Sequence, residues 1–422
     1  MPMPRAPQRG PPQKAAGLLR VATYSPGMVG FGHIRRNASI AQALRASPLE
    51  PVIVMVAEAW QAGALPMPPG VDCVTLPALR KEGEGHYTPR FLDAPDGDLV
   101  ALRSRVIRSA VKTFDPDALI VDHLPLGAAG EIRRMLDFVR RRRATRCILG
   151  VRDVQQDPET VRRTWAEQRY AEMVRRYYDA VWIYGDPAVF DAVREYGVFD
   201  PIADMVRYTG YLDQRPRLEL AHGRVAALLA GLPRGKLALC VVGGGQDGNA
   251  LADAFVRAEL PSGVIGVLVT GPYMPEEQRQ RLSRQAAKHR RVEAVEFVAE
   301  PAALINRADR VIAMGGYNSV CEALSFEKHA LIVPRVDPPE QWIRARRMQE
   351  LGLLHVLHPS ELSPEALSEW LARDLGPPPA VHQRIDIGGL RRIPDLLAEL
   401  LGAPAGSAPG REPGPAPTLR VI

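Results

Sequence analysis

The chain has 422 residues, 46% of them hydrophobic and 24% charged. That length exceeds one ordinary core and suits two globular domains. A formal net charge of +6 favours anionic partners such as phosphates, nucleic acid or an acidic lipid surface, without choosing among them. No stretch approaches the roughly 20 apolar residues of a membrane span, and the N-terminal MPMPRAPQRGPPQKAAG is basic but lacks the apolar segment of a secretion signal.

In chain order, residues 1–17 and 403–422 are rich in Pro, Gly and Ala and poor in large apolar side chains, so both are expected to be disordered tails. Between them the runs LLRVATY, EPVIVMVAE, VDCVTLP, DALIVDH, TRCILGV and DAVWIYG alternate with amphipathic stretches, beginning with HIRRNASIAQALRAS, and the series ends near VRYTGYLD. Continuous apolarity in the strands implies a buried parallel sheet. A second series runs through LALCVVGGG, VIGVLVTG, VEAVEFV, RVIAMGG and HALIVPR. The fold class is therefore α/β, with two doubly wound, Rossmann-like parallel-sheet domains and ligands in the crevice at their strand ends. The domains are expected at 18–212 and 213–402, the latter opening with a Pro- and Gly-bearing linker over 212–235. Cys73, Cys147, Cys240 and Cys321 are widely spaced, which reads as buried, reduced thiols in a cytoplasmic protein.

The first candidate loop, Ser25 to His33, follows a strand and opens a helix containing Arg35, Arg36 and Asn37. Gly30 and Gly32 permit close backbone approach, but no third glycine follows, so the dinucleotide fingerprint fails. His33 at the end of this loop is a candidate base for an attacking hydroxyl, or merely a helix cap. Asp122 and His123 end the strand DALIVDH, where they could orient His33, bind a substrate or form a turn. The loop Gly243-Gly244-Gly245-Gln246 follows another buried strand and offers backbone N–H groups and a helix N-terminus to a diphosphate. In Met314-Gly-Gly-Tyr-Asn-Ser-Val-Cys-Glu322 a third strand meets a glycine turn and a helix. Gly316, Asn318 and Ser319 lie where a phosphate could be met or the helix capped. Glu322, one turn on, either accepts the hydroxyls of a ribose or closes a capping box with Ser319. A proline-rich loop then carries Arg335, Glu340 and Gln341 towards a helix expected at Trp342–Leu351, with groups suited to sugar hydroxyls. Asp115-Pro-Asp117 stands before a strand and reads as a turn. The basic run Arg140–Arg143 reads as a solvated face. No metallohydrolase, paired Cys/His, EF-hand or G-x-S-x-G pattern occurs.

Through Gly30-Phe-Gly-His33, Tyr208-Thr-Gly-Tyr211, Gly243 to Gln246, Gly315 to Glu322 and Pro334 to Gln341, the chain resembles the GT-B glycosyltransferases. The closest pattern is the family-28 type that includes the peptidoglycan N-acetylglucosaminyltransferases. The first loop departs from that family's fuller glycine-rich form. The resemblance implies transfer of a hexosyl or N-acetylhexosaminyl group from a nucleotide-sugar, UDP-linked, to a glycan, lipid-linked or small-molecule acceptor, with no metal or other cofactor and no nucleic-acid partner. It places the donor on Gly243, Gly244, Gly245, Gln246, Gly316, Asn318, Ser319, Glu322, Glu340 and Gln341. The acceptor side is Gly30, Gly32, Asp122 and His123, with His33 as base, and membrane contact is at most peripheral at the inner face. A GT-B nucleotide-sugar epimerase is the first alternative, although no dedicated pair of acid and base carboxylates is evident. A non-catalytic nucleotide- or glycan-binding protein is the second, and an NAD-dependent dehydrogenase is more distant.

Overall fold

The computed structural model describes residues 17–27, 32–58, 66–82, 87–221, 223–244, 247–289 and 291–402. The expected tails, apart from Gly17, and the candidates Gly30, Gly245 and Gln246 lie outside the described residues.

The first sheet is built from β1 (Arg20–Ser25), β2 (Val52–Ala57), β3 (Val71–Thr75), β6 (Ala118–Asp122), β7 (Arg146–Arg152), β8 (Ala180–Tyr184) and β9 (Val206–Tyr208), with a small antiparallel pair, β4 (Leu79–Lys81) and β5 (Tyr87–Pro89), outside it. The strand order is β3-β2-β1-β6-β7-β8-β9, parallel throughout. Helices cover both faces, which is why β6 and β8 are buried at every position and read as unbroken apolar runs. The second sheet, from β10 (Lys236–Val241), β11 (Val264–Val269), β12 (Val292–Val295), β13 (Arg310–Ala313), β14 (His329–Ile332) and β15 (His355–Val356), has the order β12-β11-β10-β13-β14-β15, again parallel. Each sheet reverses direction once, between β1 and β6 and between β10 and β13. In such sheets the crevice beyond the strand C-termini at the reversal receives ligand.

Every run assigned to the sheets corresponds to a strand. The 212–235 linker contains a short 3-10 segment, Arg215–Leu220, and a helix, Arg224–Gly231. The last helix, Gly389–Leu401, follows the second sheet in sequence but packs against the Gly32–Arg45 helix of the first domain, with Leu390, Ile393 and Leu397 joining Leu44 in one core. The Tyr211 N–H donates to the Asp386 carbonyl at 2.8 Å and the Gly389 N–H to the Tyr211 carbonyl at 3.0 Å, so the chain crosses between domains twice at one neck. All four cysteines are free, three of them buried. Asp117 accepts the Arg20 N–H at 2.9 Å, and Asp115 caps the preceding helix in a left-handed conformation, as a structural turn requires.

Candidate functional site

The N-terminal wall of the cleft begins where β1 turns into the Gly32–Arg45 helix. Its first turn carries His33, and β6, the neighbouring strand across the reversal, ends at Asp122. The His33 Nδ1 lies 2.7 Å from Asp122 Oδ2. A carboxylate only accepts, so the Asp122 contact calls for a proton on Nδ1, whereas Arg36 Nη2, a donor 2.9 Å from the same atom, would need its lone pair; the shorter contact with the carboxylate favours Nδ1–H and leaves Nε2 to accept. Asp122 is buried and also receives Arg36 in a two-pronged contact at 2.7 and 2.8 Å. Burial would push the Asp122 carboxyl up, but Arg36 and His33 outweigh it and hold the group well below the usual carboxylate range. Burial likewise lowers the His33 imidazole below 6.5, against the pull of Asp122, so His33 is neutral at pH 7. His123 follows with φ of 78°, a strained conformation for a non-glycine residue, and its ring centroid is 5.4 Å from that of His33.

The C-terminal wall is made by three loops at the ends of β10, β11 and β13. Gly243 has φ of 66°, and a Cβ on Gly271, at the end of β11, would lie 2.4 Å from the Gly243 carbonyl oxygen. Only glycines let these two loops touch. The Asn249–Arg257 helix starts directly after the first loop and the Tyr317–Ser325 helix directly after the third, so both N-termini face the cleft. Neither Asn318 nor Ser319 caps the second of these helices: its N-cap is Gly316, and the Asn318 amide instead crosses the cleft to the Gly32 carbonyl at 2.8 Å. The capping box is not formed either. Glu322, only 1% exposed, turns away from Ser319 to the Arg35 guanidinium of the opposite domain, which also contacts Glu300 at 3.3 Å. Burial, with Glu300 nearby, raises the Glu322 carboxyl despite Arg35.

The helix expected from Trp342 starts at Glu340, so Glu340 and Gln341 occupy its first turn rather than the loop. Pro339 at the N-cap explains the earlier start, because its fixed φ suits a helix entry. Arg335 donates to Glu340 at 3.2 Å and to Asp247 at 3.0 Å, and its backbone N–H to the Gln341 side-chain oxygen at 3.0 Å, which ties the proline loop to the first glycine loop.

One interdomain cavity of about 250 Å3 is lined by Gly32, His33, Gly243, Gly244, Gly316, Asn318, Ser319, Glu322, Glu340 and Gln341 together. These are ten of the residues named from sequence; Asp122 and His123 stand directly behind His33. Sequence reasoning assigned no role to Arg35 and Arg36, although both sit in the His33 helix, and it passed over Arg152 and Arg344, which line the same cavity. The signal available was arginine at a strand end or on a helix turn facing the cleft. Glu58, the residue after β2, is paired with the buried Arg103 at 2.9 Å.

Two parallel Rossmann-like domains facing each other across this cleft define a GT-B protein. Residues 238–389, within the second domain of this GT-B fold, match the family described as the glycosyltransferase family 28 C-terminal domain. The NDP-glycosyltransferase YjiC of Bacillus licheniformis is 29% identical over 147 residues, 33% of this chain and 35% of that protein, so the chain matches about a third of this relative's length. Among solved structures, the calicheamicin glycosyltransferase CalG4 aligns with a TM-score of 0.58 at 16% identity, over 92% of this chain and 100% of that one. A putative UDP-N-acetylglucosamine 2-epimerase from Listeria monocytogenes also aligns with a TM-score of 0.58, at 12% identity, over 95% and 100%. Likeness at these identities concerns the fold, which transferases and the epimerase share.

Proposed function

We propose that the protein is a metal-independent glycosyltransferase that moves a hexosyl or N-acetylhexosaminyl group from a UDP-linked sugar to an acceptor hydroxyl. The observation that carries this reading is the neutral, Asp122-oriented His33 facing Glu322 and two glycine turns across one cavity. An imidazole with a free Nε2 can take the proton of a hydroxyl attacking the anomeric carbon. On the other wall the helix N-termini at Gly316 and Asn249 stabilise the departing nucleoside diphosphate, Glu322 takes the ribose, and Glu340 and Gln341 take the sugar hydroxyls. The acceptor, a glycan, lipid-linked or small molecule, enters from the His33 side, in a cytoplasmic setting with at most peripheral contact with the membrane's inner face. The described helices include none long and apolar enough to cross a membrane.

The test is a thermal-shift screen against nucleoside diphosphates and their sugars, since selective binding to the native state raises its apparent stability. UDP and a UDP-sugar are expected to raise Tm, Glu322→Ala to abolish the shift, and EDTA to leave it and subsequent turnover unchanged. Absence of a shift with every nucleotide would refute the donor site. Conversion of the UDP-sugar to its epimer without acceptor would replace transfer by epimerisation.

A further inference from the structure

Among the described residues that line the cleft, Arg152 is a cation to which the donor site gives no partner. Arg152 is the last residue of β7, at the same sheet edge as Asp122 and His123, and its side chain lines the cavity. Its Nε is buried without a hydrogen-bond partner, and among the described residues no carboxylate lies within ion-pair distance. The nearby carboxylates each have another cationic partner. Asp122 is taken by Arg36 at 2.7 Å, Asp153 by Arg344 at 2.8 Å and by the Tyr211 hydroxyl at 2.6 Å, and Glu340 Oε1 by Arg335 at 3.2 Å, whereas the buried Glu340 Oε2 has no hydrogen-bond partner and attracts Arg152 from beyond ion-pair distance. Burial and then Arg36 lower the Arg152 guanidinium to about 10, which still leaves it charged at pH 7. The adjacent His123 has a buried Nδ1 without a partner, and burial followed by Arg152 keeps its ring neutral. An unpaired, half-buried guanidinium whose Nε is shut off from solvent is costly, and the cost falls when an oxyanion supplies charge-assisted hydrogen bonds. The diphosphate of a donor has its own seats on the other domain, at Gly243, Gly244 and Gly316. Arg152 belongs to the wall that holds His33.

We propose that the acceptor carries an oxyanion, a carboxylate or a phosphate, and that Arg152, with His123 beside it, receives that group in the cleft. The word acceptor rests on the transferase reading, whereas the anion site can be measured without turnover. Ligand-observed NMR titrations of the full chain, with and without UDP, would compare benzoate, phenyl phosphate and the uncharged benzyl alcohol on wild type, Arg152→Gln and Arg152→Lys. Saturable binding of at least one anion is expected, with no comparable binding of benzyl alcohol. Arg152→Gln should weaken the anion by at least about tenfold while UDP affinity stays within about twofold, and Arg152→Lys should keep part of the affinity. The tighter of the two anions distinguishes a carboxylate from a phosphate. Equal anion binding by wild type and Arg152→Gln, no saturable binding of either anion, or a UDP affinity that falls with Arg152 would each overturn the inference. Should Arg152→Gln fail to fold, Arg152→Lys decides: a partial loss of anion affinity with UDP affinity unchanged supports the site, and anion binding equal to wild type overturns it. Wild type that binds benzoate or phenyl phosphate through Arg152 but no UDP would sink the donor reading and leave the anion site standing.

Discussion

His33 and Asp122 form a pair whose chemistry is set by what surrounds each group. Burial depresses the imidazole, so the free base is the resting form at neutral pH, and the 2.7 Å contact with Asp122 favours its Nδ1–H tautomer over the competing 2.9 Å contact with Arg36. Turnover that needs this lone pair is complete above 6.5 and is lost as pH falls through the lowered value. An acid limb above pH 7 in a rate profile would contradict the assignment. Stability follows the same sign, because below 6.5 the unfolded chain takes up the proton first and the folded state is penalised. Asp122→Asn is expected to lower turnover by about 10^2- to 10^4-fold, since an amide no longer enforces the Nδ1–H tautomer. It should retain the UDP-induced rise in Tm, measured beside the rate. Because Asn would leave the buried Arg36 unpaired, His33→Ala supplies the parallel measurement, with the same loss and Arg36 still satisfied. His33 and Asp122 were both legible as chemistry in the sequence, one opening the helix after β1 and the other ending the neighbouring strand β6. Arg36 was visible only as an arginine on a helix, since its partner lies 86 positions away.

At the scale of elements, three glycine turns shape the donor wall, and Gly315 in the third of them is closely enclosed. Its φ is 83°, and a Cβ there would stand 2.6 Å from Cγ2 of Ile332 on the neighbouring strand β14. Gly315→Ala is therefore expected to destabilise the fold by about 1–3 kcal/mol through backbone strain and crowding. It should also weaken UDP binding, because the same turn aims the Tyr317–Ser325 helix at the cleft. Urea unfolding reads the first effect and calorimetry the second; unchanged values in both would show that the turn tolerates a side chain. The strands bearing these loops were readable because buried parallel strands are continuously apolar. β4, β5 and β15, of three, three and two residues, are too short to show any period and were not anticipated. Ser319 and Glu322 have capping-box spacing, yet the helix is entered through Gly316, so the spacing alone was ambiguous between capping and cleft chemistry.

Across the whole molecule the two domains are joined by ion pairs that local sequence patterns do not reveal. Asp153 and Arg344 are both fully buried at the junction, whereas Arg35 reaches over 287 positions to Glu322 inside the ligand cleft. This second pair occupies the carboxylate assigned to the donor ribose. Nucleotide binding must therefore displace Arg35 from Glu322 or share that carboxylate with it, and breaking the pair opposes binding by the free energy that the pair contributes. Burial lowers the Arg35 guanidinium, but Glu322 and Glu300 more than offset this and raise it, so Arg35 remains charged throughout the accessible pH range; mild base leaves the pair in place, whereas acid that protonates the raised Glu322 carboxyl weakens it. Arg35→Ala removes the competitor while Arg217, 2.6 Å from Glu300, continues to compensate the neighbouring carboxylate. UDP is then expected to bind roughly three- to tenfold more tightly by calorimetry at about pH 8, with the gain shrinking as pH falls, because without Arg35 the buried Glu322 carboxyl is raised further. The variant should also show a lower Tm without ligand, because one interdomain contact is gone. If instead UDP affinity drops, Arg35 contacts the nucleotide itself, and the contact with Glu322 is the resting position of a donor-binding residue rather than a lock on its site.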